Sequence, residues 1–150
     1  MKKRISIMFV KQICLVLFAS VPFFAVSGFE GASVMEFEGT PPSVQLFVNQ
    51  HFPNRHVASV RVEYLFFKRK IKVMMDDGTE IDFDDDGDWI DIENAPDDVI
   101  LNVIPCAVVA CVHDHYHHAH IVGAERCGNK FKLKLSDRTV LTFNEDYDLL

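Results

Sequence analysis

Asp82, Asp84, Asp86 and Glu93 follow the spacing Asp-x-Asp-x-Asp-Gly-x5-Glu, with Gly87 at the turn. Oxygen donors at alternate positions, a glycine for the sharp bend and a terminal bidentate carboxylate are what an EF-hand Ca²⁺ loop requires. Such a loop also needs a helix on each side. Here the flanks alternate as strands do, with Ile81 and Phe83 before the turn and Trp89, Ile90 and Ile92 after it. The segment therefore reads as an acidic strand, a turn at Asp86-Gly87 and a strand opening with Trp89. The Ca²⁺ loop stands as the alternative.

A second cluster, His113-Asp114-His115-Tyr116-His117-His118-Ala119-His120, holds five of the seven histidines. On one continuous helix His113, His117 and His120 would share a face at i, i+4 and i+7, a spacing that chelates Zn²⁺, Ni²⁺ or Cu²⁺. The internal alignment described below sets His117 and His118 against Pro53 and Asn54, which ends the helix there. A solvated, His-rich helix terminus, favourable to the helix dipole, is the competing reading. Cys111 precedes His115 by one helical turn, but it lies on an apolar stretch and matches Phe47, so it reads as core rather than nucleophile. The chain has no Gly-rich phosphate loop, nucleophile elbow or paired Ser/His/Asp context. An open sheet offers its carboxylates no apolar pocket to raise a pKa for acid catalysis. The expectation is a protein without enzymatic activity and without a cofactor.

The elements that must position these residues occur twice. The segment from Pro41 to Phe52 lies 64 residues before the one from Pro105 to Tyr116, and Lys70–Thr79 lies 60 residues before Lys130–Thr139. The change of offset puts four extra residues into the first copy, near Leu65 to Arg69, at a strand end or hairpin tip where chains tolerate insertion. In the first copy Thr40 is the expected N-cap and Pro41 the first helical residue. Val44, Phe47, Val48 and Phe52 form a stripe at helical spacing, and Pro53 ends it. From Ala58 the period becomes two, and Asp77-Gly78 is a hairpin signal. The second copy repeats a helix near 105–116 and strands near 120–127, 130–136 and 139–144, with a short helix between the copies over Pro96 to Ile104. Helices are the only elements able to cover one face of each sheet. The expected fold class is α+β: two tandem helix-plus-antiparallel-β units, residues 40–93 and 105–150, joined by 94–104, with the helices on one face.

The same residues carry a resemblance. A helix ending in Phe52-Pro53, then Asp76-Asp77-Gly78-Thr79-Glu80-Ile81-Asp82-Phe83-Asp84-Asp85-Asp86-Gly87-Asp88-Trp89, then Pro105 and a second helix-plus-hairpin, resembles the PepSY-like family with its β-lactamase-inhibitor-protein-like (BLIP-like) fold. The resemblance spans about residues 40–150. The second copy departs from it: Arg138 replaces the turn glycine, and Tyr147-Asp148-Leu149 stands where Gly87-Asp88-Trp89 stood. The resemblance implies a periplasmic or secreted protein of Gram-negative bacteria with no enzymatic activity, of a kind suspected to bind or inhibit other proteins.

The start of the chain agrees with export. Met1-Lys2-Lys3-Arg4 is a charged opening, an apolar run is densest from Ile13 to Val26, and Ala25-Val26-Ser27 is a signal-peptidase site before Gly28. Residues 1–27 are read as a signal peptide and 28–39 as a flexible mature N-terminus. Lys11 and Gln12 leave an apolar run too short for a comfortable span, so no membrane span is expected in the mature chain. Cys14 lacks the small preceding residue that lipidation needs. Loss of Lys2, Lys3, Arg4 and Lys11 from the 15 basic residues leaves 11 against 22 acidic ones, a net charge of −11. Such a chain repels phosphate backbones, which excludes nucleic acid as a partner. Cys106, Cys111 and Cys127 remain, an odd number that excludes a complete disulfide framework, although one bridge to Cys127 or three buried thiols both fit. The sequence thus points to a non-enzymatic binding module of the cell envelope whose partner is an unidentified protein or peptide. An envelope metal-binding protein using the His113–His120 run or the Asp82–Glu93 loop is the alternative.

Overall fold

A computed structural model of the chain describes residues 31–65 and 68–150. The expected signal peptide, Cys14 and residues 28–30 lie outside them. Among the described residues eight strands form one antiparallel sheet in simple sequence order. They are β1 (Gly31–Met35), β2 (Val57–Leu65), β3 (Lys68–Met75), β4 (Glu80–Phe83), β5 (Trp89–Glu93), β6 (Ile121–Cys127), β7 (Lys130–Leu135) and β8 (Val140–Phe143). Three α-helices accompany them among these residues: α1 (Pro42–His51), α2 (Asp97–Val103) and α3 (Cys106–His115). The protein is an α+β fold.

Strand β1 corrects one expectation. The stretch read as flexible is, from Gly31 on, an edge strand paired with β2 from Gly31–Tyr64 to Met35–Val60, followed by a 3-10 turn at Phe37–Gly39. Gly31-Ala32-Ser33-Val34-Met35 has too weak an alternation to declare itself, and its strand form comes from backbone pairing with β2. The cap of α1 also differs. Pro41 holds the N-cap position without a side-chain bond, while Thr40 Oγ1 donates to the Phe37 carbonyl at 2.7 Å. Gln45 Nε2 closes this corner by donating to the Thr40 carbonyl at 2.8 Å.

Each long helix ends by the same device. The Phe52 N–H donates to Val48 O at 2.8 Å and the Tyr116 N–H to Val112 O at 2.7 Å, after which Pro53 and the His117-His118 pair leave the helix. Val44 and Val48 of α1 and Val108 and Val112 of α3 turn inward, together with Val99 and Ile100 of α2. They pack on the inner residues of the strands, among which Ile71, Ile81, Phe83, Ile92, Leu133 and Phe143 are fully buried. Phe47 meets Phe83 edge to face with ring centroids 5.5 Å apart, which fixes α1 over β4. Trp89 is 5% exposed, lies edge-on to Phe131 at 5.9 Å, and carries the Arg126 guanidinium 4.2 Å from its ring centre.

The turns recur at sixty-residue intervals, bond for bond. Met75 N–H donates to Thr79 O as Leu135 N–H does to Thr139 O, and Asp84 N–H to Asp88 O as Asn144 N–H does to Asp148 O. Asp84 Oδ1 accepts from the N–H groups of Asp86 and Asp88, and Asn144 Oδ1 from those of Asp146 and Asp148. Gly78 and Gly87 adopt φ of +89° and +82°; Arg138 and Tyr147 adopt +74° and +64° at the corresponding places. Strands β2 and β3 have 9 and 8 residues against 7 and 6 in β6 and β7, so the first hairpin is the longer.

Candidate functional site

Alternation along the strands sends one set of side chains under the helices and the other to a face that no element among the described residues covers. Register places two rows across that face. One row runs Lys72, Asp82, Asp91, Glu125, Lys132 from β3 to β7. The next runs Met74, Glu80, Glu93, Gly123, Lys134 over the same strands. The three central strands are therefore acidic and the two flanking strands basic.

The lysines reach inward. Lys70 Nζ lies 2.9 Å from Asp82 Oδ2 and 3.4 Å from Glu63 Oε2. Lys72 Nζ lies 3.1 Å from Glu80 Oε2, and Lys132 Nζ 3.3 Å from Glu125 Oε2. Lys134 passes over Gly123, which has no side chain to obstruct it, and pairs with Glu93 two strands away. The hydrogen bond to Asp82 raises the Lys70 ammonium above its ordinary pKa, and the bond to Glu93 does the same for Lys134. For Lys72, burial opposes the charge, but the Glu80 hydrogen bond and the Asp82 charge outweigh it and the pKa is raised. These partly exposed pairs in water hold the lysines in place more than they stabilise the fold.

The centre of the face is different. Asp82 is 8% exposed and Asp91 half-buried, they stand directly opposite each other, and the Oδ1 atom of each is buried without a hydrogen-bond donor. Lys72 Nζ approaches Asp82 Oδ1 only to 3.7 Å, too far for a hydrogen bond. Burial pushes the Asp91 carboxyl above the ordinary aspartate value; the Lys134 charge opposes this, while Glu93, Asp82 and Glu125 add to it. Like charges directly across a strand pair are unfavourable, so this centre is electrostatically unsatisfied.

The residues singled out in the sequence are dispersed by the fold. Asp82 is held by Lys70, Glu93 by Lys134, Asp84 caps the turn and Asp86 is exposed on it. Helix α3 ends at His115, so His113, His117 and His120 do not share a helix face. His113 Nδ1 lies 3.3 Å from Asp114 Oδ1, the His117 and His118 rings lie 4.0 Å apart at a tilt of 56°, and His120 Nδ1 lies 3.5 Å from Asp97 Oδ2. Among the described residues no three His, Cys, Asp or Glu side chains converge as a metal-holding group. Cys111 packs partly buried against the core, whereas Cys106 and Cys127 are exposed, and the three thiols are unbridged. On the helix side, an open cavity of about 660 Å³ is lined by Met35, Phe37, Val48 and Arg55, and Arg55 is already engaged by Asp77 at 2.6 Å.

The sequence alone does not mark Asp91, Glu125, Lys72, Lys132, Lys134 and Gly123 as members of one surface. The polar half of each alternating strand was the available signal. Only the register between β5 and β6 places that half in two continuous rows.

Among the described residues no helix is long and apolar enough to cross a membrane. A solved structure from Bacteroides thetaiotaomicron, described as a putative calcium-regulated periplasmic protein, is similar to this chain with a TM-score of 0.74 at 27% identity, covering 79% of this chain and 94% of its own. Two putative periplasmic proteins from Bacteroides vulgatus, each 24% identical with a TM-score of 0.74, cover 82% and 80% of this chain and 97% of theirs. At that identity they show the fold alone. The periplasmic description of the B. thetaiotaomicron structure agrees with the compartment expected from the start of the sequence. Among proteins with curated descriptions, none matches. The family model for PepSY-like proteins, described as putative beta-lactamase-inhibitor-like, matches residues 69–150, more than half of the sequence. The chain belongs to the PepSY-like family.

Proposed function

We propose that the protein is a non-enzymatic, exported binding module of the cell envelope, and that its uncovered sheet face holds another protein through a cationic segment. The observation that carries this reading is the charge order of the face. Glu80, Asp82, Asp91, Glu93 and Glu125 fill three adjacent central strands, and lysines stand on both sides. A partner segment with arginine or lysine at its centre and acidic or neutral flanks matches that order, and charge complementarity of this kind sets register and on-rate. The net charge of −11 expected for the mature chain adds long-range attraction for such a partner. Inhibition of the partner is one outcome of this contact and extends the family's description.

We also infer that residues 40–93 and 105–150 are two copies of one unit. The recurrence of turn bonds sixty residues apart supports that reading, as does the pairing of Phe83 with Trp89 beside that of Phe143 with Leu149. Lysine engagement of Asp82 and Glu93 weighs against a Ca²⁺ cage built from the Asp82–Glu93 stretch. The calcium-regulated description of the B. thetaiotaomicron neighbour makes Ca²⁺ the first ion for a calorimetric control. The binding reading is tested by reversing charge on the face. Glu125→Lys with Glu93→Lys, in a protein whose unfolding midpoint is retained, is expected to abolish capture of the envelope partner that the unaltered protein retains. Undiminished capture refutes the assignment of the face.

A further inference from the structure

The two ends of the sheet are finished differently. Beyond β8 the C-terminal residues return, so that Leu149 bridges Phe143 and the Leu150 N–H donates to Thr142 O at 2.9 Å. Beyond β1 no described residue pairs, because the strand order begins there. Edge strands are ordinarily guarded against further pairing by lysine, proline or a bulge. Gly31-Ala32-Ser33-Val34-Met35 has none of these: it carries no charge and pairs with β2 at five successive residues without a register shift. Val34 on it is 79% exposed. We propose that the outer edge of β1 pairs antiparallel with β1 of a second copy of this chain, about a two-fold axis at Ser33.

The charges behind the strand favour this occupant and fix the register. Arg61 and Glu63 on β2 stand directly opposite Val34 and Ala32 of β1, on the uncovered face. The neighbour of Arg61 on its other side is Lys72, a like charge. Registers that set outward side chains against outward side chains differ by two residues. With Ser33 opposite Ser33, Val34 lies against Ala32 of the second copy, and Arg61 falls in line with Glu63 of the second copy across those two small side chains. Moving the register by two residues sets Glu63 in line with Glu63 in one direction and Arg61 in line with Arg61 in the other, and like charges disfavour both. The net charge of −11 expected for the mature chain repels a second copy over most of the surface, so an uncharged strand backed by one arginine and one glutamate is where self-pairing meets least opposition. Five residues a side make a small contact, and the dimer is a weak one whose population follows concentration. The two-fold axis turns both acidic faces to the same side of one continuous sheet. Presentation of two sites to one partner follows from that, and this consequence alone rests on the binding reading.

Sedimentation velocity of the exported protein over a range of concentrations, with no partner present, tests the edge. The exposed thiols are first removed by Cys106→Ser and Cys127→Ser, so that any association is non-covalent. A monomer–dimer equilibrium is expected. Val34→Lys guards the edge and is expected to weaken it about tenfold or more while leaving the melting midpoint of the monomer unchanged. Arg61→Glu is expected to weaken it too, and Arg61→Glu with Glu63→Arg to restore it. Mild oxidation of Ser33→Cys is expected to give a covalent dimer, since residues directly opposed on antiparallel strands lie within disulfide reach, whereas Val34→Cys, opposed by Ala32, is expected to give none. A monomer at every concentration overturns the proposal, as does a dimer indifferent to Val34→Lys. Cross-linking through Val34→Cys in place of Ser33→Cys overturns the register. Failure of partner binding at the acidic face would leave all these measurements untouched.

Discussion

A β-carbon on Gly123 would lie 2.9 Å from the main-chain carbonyl oxygen of Ile92, closer than real contacts allow. Gly123 is thus the residue that lets β6 close onto β5, the one strand pair that joins the two halves into a single sheet. Lys134 crosses the same gap to reach Glu93. Gly123→Ala is expected to force the strands apart and to lower stability by ~1–3 kcal/mol, the usual cost of overpacking. A urea midpoint equal to wild type would show that the junction is looser than the contact implies.

Two residues of the second half occupy a conformation that favours glycine. Arg138 and Tyr147 hold φ of +74° and +64° where the first half has Gly78 and Gly87. Left-handed backbone costs a residue with a β-carbon ~1–2 kcal/mol. Arg138→Gly, an exposed change, is expected to raise the thermal midpoint. Gly87→Ala is expected to lower it sharply, because the added carbon would sit 2.0 Å from Ser43 Oγ at the start of α1. Melting curves of the two variants with unchanged or reversed midpoints would contradict the strain argument.

Much of this architecture was legible in the residues. The turns at Asp77-Gly78 and Asp86-Gly87 and the helix stop at Pro53 are local events, set within a few residues, and each occurs where the sequence places it. Strand β1 was not legible, because its form depends on a partner about thirty residues downstream rather than on its own weak pattern. The face was half legible. Alternation marks Asp82, Asp91 and Glu93 as outward, but which carboxylate meets which lysine depends on register across β3 to β7. The Asp82–Glu93 spacing matches a cation loop in one dimension while its backbone is a bulged hairpin in three.

Trp89 anchors in the core the strand that follows the Asp86-Gly87 turn. Its ring is 5% exposed, edge-on to Phe131 and covered by Arg126. Trp89→Ala is expected to cost ~3–5 kcal/mol. Arg126→Ala should cost less, on the order of 0.5–1 kcal/mol for a cation–π contact at an exposed site. Blue-shifted, quencher-resistant fluorescence of the single tryptophan checks the burial, and red-shifted, readily quenched emission would contradict it.

Asp91 carries the pH prediction. Its folded-state carboxyl is raised above the ordinary 3.8, so the folded protein retains this proton over a range where the unfolded chain has lost it. The contribution to stability is full below the ordinary value and is lost as pH rises through the folded value. Asp91→Asn should therefore gain stability over wild type with rising pH, beginning near 3.8 and levelling off beyond the folded value. Unfolding free energies measured in parallel across that range check the sign. A difference that is flat with pH, or that narrows as pH rises, would contradict it.

The central claim is that the uncovered face, and not the helix side, holds the partner. Photo-crosslinking in the native envelope measures this most directly, with a benzophenone side chain placed at Met74 or Thr142 on the face, or at the exposed Leu46 on α1. The account predicts a discrete adduct from Met74 and Thr142, none from Leu46, and loss of the adduct when Glu93→Lys and Glu125→Lys are added. Adducts from Leu46 alone, or face adducts indifferent to the charge reversal, would contradict it.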